Sequence, residues 1–247
     1  KISKKLKEDV VLSFAPYKLI NTNSDIFPLA GIPNKVTILC GDGSKFYYYK
    51  SDKLGFNNKN FSKINDAIII GDSYIHGNCL DQSFNLINNI NYNGIKAVGL
   101  GMMGNGPLIE YATFKEYELF FDYKYLIWLF TPDNDYYDLS NEINNKILKK
   151  YINNENYSQK LLINKEKSIS RINEYLNLKK DRPIREFSRK YHLDLNIIRN
   201  LLEKILNKKH LYNTSNISNE KNTSLLKNIF FETNKFLENK NKKLLVV

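Results

Sequence analysis

The chain lacks long hydrophobic runs, is poor in cysteine and histidine, and is short of acidic residues. Nowhere in its 247 residues do about 18 apolar residues follow one another, so no membrane span is expected. Only two cysteines occur, Cys40 and Cys79. Neither lies in a metal-ligand or C-x-x-C spacing, which argues against a metal or thiol redox centre and leaves a disulfide between them open. Lys and Arg number 37 against 26 Asp and Glu, a formal charge of +11. Such a balance suits an anionic partner such as nucleic acid, an acidic glycan or a membrane surface. However, the lysines are scattered and rise together with Asn and Ile, as an AT-rich genome produces, so compositional drift is the favoured reading and nucleic acid is not an expected partner. No secretory signal is visible at Lys1–Val10 and no compartment follows.

What is present is a strand-helix rhythm. Residues 1–60 read as a mixed leader, with strands at Val36–Cys40 and Phe46–Tyr49 around the hairpin-type turn Gly41-Asp42-Gly43. From residue 61 onward the pattern is βα. Strands are expected at Ala67–Ile70, Lys96–Leu100 and Tyr125–Phe130, with helices at Ser83–Ile90 and Pro107–Phe121 between them. Pro107 fits the first turn of its helix. This alternation argues for an α/β fold with a parallel sheet and helices on both faces. About 139–240 then reads as three or four polar helices, rich in Lys, Asn, Glu, Leu and Ile, before the apolar run Lys243-Leu244-Leu245-Val246-Val247. Within that span Pro183–Asn207 has the rhythm of two short helices, read as a plain hairpin in preference to a DNA-binding helix-turn-helix.

Three segments follow three successive strands: Gly71-Asp72-Ser73-Tyr74-Ile75-His76-Gly77, then Gly99-Leu100-Gly101-Met102-Met103-Gly104-Asn105-Gly106-Pro107, then Thr131-Pro132-Asp133-Asn134-Asp135. In a parallel sheet, loops after the strands converge on one edge, the edge where open α/β sheets bind ligands. Together they offer a serine hydroxyl, a glycine-rich loop and a side-chain amide. Acyl transfer needs that set: a nucleophile, and donors aimed at a developing oxyanion.

On these residues the chain resembles the SGNH (GDSL-type) hydrolase family over roughly residues 60–140, and a bacterial subgroup with a helical insertion after the third block. Gly71-Asp72-Ser73 looks like the nucleophile block, Gly104 like the glycine of the second block, and Asn134-Asp135 like the Asn-Asp of the third. The resemblance implies a flavodoxin-like parallel sheet flanked by helices, with Ser73 as nucleophile. It implies an oxyanion hole formed by the Ser73 N–H, the Gly104 N–H and the Asn134 amide. It also implies a serine esterase or deacylase acting on small acyl esters, including O-acetyl groups on carbohydrate, without cofactor or metal. O-acyl transfer to a glycan and a non-catalytic binding module are the alternatives.

Two departures stand out. Pro132-Asp133 replaces the glycine that the family prefers in its third block. The D-x-x-H block, which supplies the base and its orienting carboxylate, is not found, since none of His76, His192 and His210 has Asp three residues before it. The expectation is a chain truncated before that block, and very low activity for this piece alone. His76, three residues after Ser73, is read as structural or substrate-side, and His192 and His210 as surface residues. Asn105 is expected to cap the helix beginning at Pro107, Met102 and Met103 to pack as wall or core, and Trp128 to pack in the core. Asp72 is read as a turn residue. Asp133, Asp135 and Asp138 lack a metal-ligand pattern.

Overall fold

The computed structural model describes residues 10–41, 45–180 and 220–247. The Pro183–Asn207 helical pair, His192 and His210 therefore lie outside the described residues.

Two sheets form. In the first, β1 (Val10–Leu12) runs parallel to β2 (Val36–Gly41), and β2 pairs antiparallel with β3 (Phe46–Lys50), the hairpin expected around Gly41-Asp42-Gly43. In the second, β4 (Ala67–Ile70), β5 (Ala97–Gly99), β6 (Tyr125–Trp128) and β7 (Lys243–Val246) are all parallel, in the order β5-β4-β6-β7. The apolar run at Lys243 thus adds a fourth strand beside β6, pairing Leu126 with Leu244 and Trp128 with Val246.

β4 is apolar without alternation because it is buried on both faces, as parallel strands are. Ile68 and Ile70 join Val98, Leu126 and Trp128 in the main core, while Ala67 and Ile69 pack with Ile75, Ile87 and Ala97 on the other face. Helix α2 (Leu86–Tyr92), following the short α1 (Ser73–His76), brings Ile87 to the second face. Helix α3 (Pro107–Tyr117) covers the first with Leu108, Ile109, Ala112 and Phe114. Four further helices are described between β6 and β7: α4 (Pro132–Glu142), α5 (Lys146–Asn153), α6 (Lys165–Lys180) and α7 (Glu220–Glu238). The protein is therefore α/β with a four-stranded parallel sheet flanked by helices, compatible with a flavodoxin-like fold. Phe14, Leu19, Phe27 and Leu29 from the leader pack into the same core as β4 and α3.

The outer edge of β5 is closed by side chains. Asn91 accepts from Ala97 N at 3.1 Å and donates to Ala97 O at 2.9 Å, and Asn58 accepts from Gly99 N and donates to Gly99 O, both at 2.9 Å. Each amide imitates a neighbouring strand and blunts an otherwise open edge. Asn58 is itself held by Asp52 Oδ2 at 2.8 Å, while Asp52 Oδ1 accepts from the backbone of Leu54, Gly55 and Phe56. A disulfide, Cys40–Cys79, ties β2 to the turn after α1 with its Cα atoms 5.6 Å apart. No helix among the described residues is long and apolar enough to cross a membrane.

The expected helix at Ser83–Ile90 is divided. Gln82–Phe84 forms a 3-10 turn, and Asn85 then starts α2, its side chain accepting from Asn88 N at 2.8 Å. An asparagine side chain that binds the backbone favours the N-cap over the helix interior.

Candidate functional site

The chain passes from β4 to β5 on one side and returns to β6 on the other, so the strand order reverses at β4. The carboxyl ends of the strands at such a reversal flank the crevice in which open α/β sheets hold ligands. Ser73, Gly104 and Asn134 come from the segments that follow β4, β5 and β6, and all three are half-buried.

Ser73 is the first residue of α1. Asp72 caps that helix, its Oδ1 accepting from Tyr74 N at 3.0 Å, and its Oδ2 stands 3.5 Å from Ser73 Oγ. The turn-residue reading of Asp72 agrees with this capping bond.

The third segment is not a loop. Thr131 is the N-cap of α4, Pro132 occupies the first turn, and Asn134 sits in that turn. Proline has no N–H to lose there and its fixed φ is already helical, so Pro132 starts a helix. Asp135 reaches back to Thr131 N at 2.6 Å and closes the turn. From this position Asn134 Nδ2 donates to Asp72 Oδ2 at 3.2 Å, across 62 residues of sequence, and makes a longer 3.4 Å contact with Asp138 Oδ2.

Gly104 has φ +72, in the left-handed region, and a Cβ there would lie 2.5 Å from the ring of Tyr17. Glycine is required on both counts. On one side of it, Met103 N donates to His76 Nδ1 at 3.1 Å. On the other, Glu142 Oε1 accepts from Gly106 N at 2.7 Å, and Glu142 Oε2 accepts from Leu108 N at 2.9 Å and Ile109 N at 3.4 Å. Gly106 makes room for this, since a Cβ there would meet Asp138 Cβ at 2.6 Å and Glu142 Oε1 at 2.9 Å.

Glu142, not Asn105, therefore satisfies the free N–H groups at the start of α3. The N-cap of α3 is Gly106, without a side-chain bond of its own. Asn105 is fully buried, and both its amide atoms make no hydrogen bond among the described residues. The capping role expected of Asn105 is corrected accordingly: the distant carboxylate already occupies those donors.

His76 is fully buried. Its Nδ1 accepts from Met103, so its Nε2 carries the proton and donates to Tyr49 Oη at 3.1 Å. Burial pushes its pKa down to about 4, which keeps the ring neutral. With both nitrogens engaged it is structural, one of the two roles read from its position. Met102 and Trp128 are core residues, also as expected.

Behind the three segments lies a group of buried carboxyls. Burial, with the charges of Asp72 and Asp138 adding to it, pushes Asp135 up to about 7. Burial pushes Glu142 up to about 8 despite its three backbone donors. Glu110 is held well above the usual carboxylate range by burial, then by Asp135. Asp138 is raised by burial and by Asp72. Among the described residues no group of His, Cys, Asp and Glu has a metal-holding arrangement.

Glu142, Tyr17 and Glu110 were not identified from sequence as parts of the surround that shapes this edge, whereas His76 was singled out. Only His76 carried a local signal, its closeness to Ser73; the others reach the site from elements that are distant in sequence. Comparison with protein-family models, curated proteins and solved structures gave no match.

Proposed function

We propose that the protein is a serine esterase or deacylase of the SGNH (GDSL) type, acting on small acyl esters, O-acetyl groups on carbohydrate included. Ser73 Oγ attacks the ester carbonyl and gives its proton to a base supplied from outside the described residues. The Ser73 N–H, the Gly104 N–H and the Asn134 amide hold the oxyanion. The alcohol leaves with that proton, and water then releases the acid from the acyl-serine. The single observation that carries this reading is the 3.2 Å contact of Asn134 Nδ2 with Asp72, the residue preceding Ser73, at the reversal of strand order. The 3.4 Å contact with Asp138 is weak by length and is the one a substrate oxygen would replace.

The test is ester hydrolysis by the full-length protein, wild type against Ser73→Ala and Asn134→Ala. Ser73→Ala abolishes turnover, and Asn134→Ala lowers kcat by about 10²–10³, as expected for loss of one oxyanion donor. Turnover that survives Ser73→Ala rules the reading out.

A second reading, a binding module that keeps the fold without catalysis, is favoured by one observation. His76, the histidine nearest Ser73 in the chain, has both ring nitrogens occupied and is not free to take the serine proton. It predicts an acylated glycan bound without turnover.

A further inference from the structure

The three segments of the site are joined in a closed circuit of side-chain bonds. Asn134 on α4 binds Asp72, which precedes Ser73. His76, on the same helix α1 as Ser73, accepts from Met103 N beside Gly104. Glu142, on the same helix α4 as Asn134, accepts from Gly106 N and Leu108 N on the far side of Gly104. We propose that His76 and Glu142 are positioning residues that clamp the Gly104 loop from its two sides, each from a helix that carries another residue of the site.

The physical case rests on the loop's own weakness. Gly99, Gly101, Gly104 and Gly106 give this stretch more backbone freedom than other residues would, and freezing it costs conformational entropy. Loop backbone that is buried must also find partners for its N–H groups. His76 and Glu142 supply those partners at Met103, Gly106 and Leu108, so they fix where the intervening Gly104 N–H stands. Both side chains are fully buried, and the Glu142 bonds to Gly106 and Leu108 are shielded from competing water, while the His76–Met103 bond is partly buried. The glycine at 106 is required by the same clamp, because any side chain there would displace the Glu142 carboxylate. His76 acts through one acceptor atom, and its second nitrogen anchors the ring on Tyr49. The clamp's catalytic meaning rests on the serine-hydrolase reading, but its mechanical meaning does not.

The test uses the full-length protein with His76→Leu, His76→Asn, Glu142→Leu and Glu142→Gln. Two quantities are read: amide hydrogen exchange over residues 103–108, and the second-order rate of Ser73 labelling by a fluorophosphonate. The leucine variants should speed exchange over 103–108 by about tenfold, as loss of one or two hydrogen bonds implies, with exchange in β4 unchanged. Labelling should slow by a similar factor. His76→Asn puts an amide oxygen near the Nδ1 position and Glu142→Gln keeps one acceptor, so both should recover part of the loss. Should the leucine variants fail to fold, His76→Gln serves in their place, since it moves the amide away from Met103. Unchanged exchange over 103–108, or acceleration spread equally through β4, overturns the proposal. If wild type is not labelled at all, the serine-hydrolase reading fails, and exchange alone decides the clamp.

Discussion

The indole N–H of Trp128 donates to Glu110 Oε2 at 2.5 Å within the core, joining the inner strand β6 to helix α3. The other oxygen, Glu110 Oε1, makes no hydrogen bond among the described residues. Burial, and then the nearby Asp135, holds this carboxyl well above its ordinary range. Glu110→Gln keeps the acceptor for Trp128 and should change stability by less than about 1 kcal/mol, whereas Trp128→Phe strands a buried acceptor and should cost about 1–3 kcal/mol. Urea unfolding of the two variants measures the difference, and equal costs would contradict this account of the pair.

Stability should fall as pH rises from 6.5 to 8. Asp135 and Glu142 have folded pKa values raised to about 7 and about 8. Each therefore contributes stability that is fully present below its unfolded value and is lost as pH rises through the folded one. His76 acts in the opposite sense: its folded value is depressed from 6.5 to about 4, so its contribution is present above 6.5 and lost as pH falls through about 4. Above pH 6.5 only the carboxyls of this set titrate. The urea midpoint should decline across that interval, and Glu142→Gln should flatten the decline. A midpoint that rises with pH would show that the carboxyls are not held protonated.

Cys40→Ser or Cys79→Ser should lower stability by about 2–4 kcal/mol, because the disulfide closes a loop of 39 residues in the unfolded chain. Thermal melts with and without reductant check this. Wild type should shift with reductant and the serine variants should not.

Gly104→Ala should destabilise the protein by about 1–2 kcal/mol from the left-handed backbone alone, with a further cost from the Tyr17 ring. Adding Tyr17→Ala should relieve the second cost and leave the first. The double variant would then be less sensitive to the Gly104 change than wild type is, which a double-mutant cycle reads directly.

Much of the fold was legible because its signals are local. Ile68-Ile69-Ile70, short, apolar and β-branched, reads as a strand buried on both faces, and Pro107 marked the start of α3. Asn85 held the signal for the division of the expected helix at Ser83–Ile90, and Thr131-Pro132 held that of α4, but proximity to a loop motif masked the latter. The bonds around Gly104 could not be read in this way. Glu142 lies 36 residues from Gly106, and nothing at either position announces the other. His76 showed its nearness to Ser73 but not the direction of its ring, which is set by Tyr49 and Met103. Asn105 misled because a capping residue type stood at a helix start whose donors a distant carboxylate had already taken.

The most direct measurement is intact-mass analysis of the full-length protein after incubation with a fluorophosphonate, followed by peptide mapping. The account predicts a single adduct on Ser73, absent from Ser73→Ala and slowed in Asn134→Ala. A wild-type protein that stays unlabelled, or is labelled elsewhere, would contradict the assignment of Ser73 as the nucleophile and leave the binding-module reading in its place.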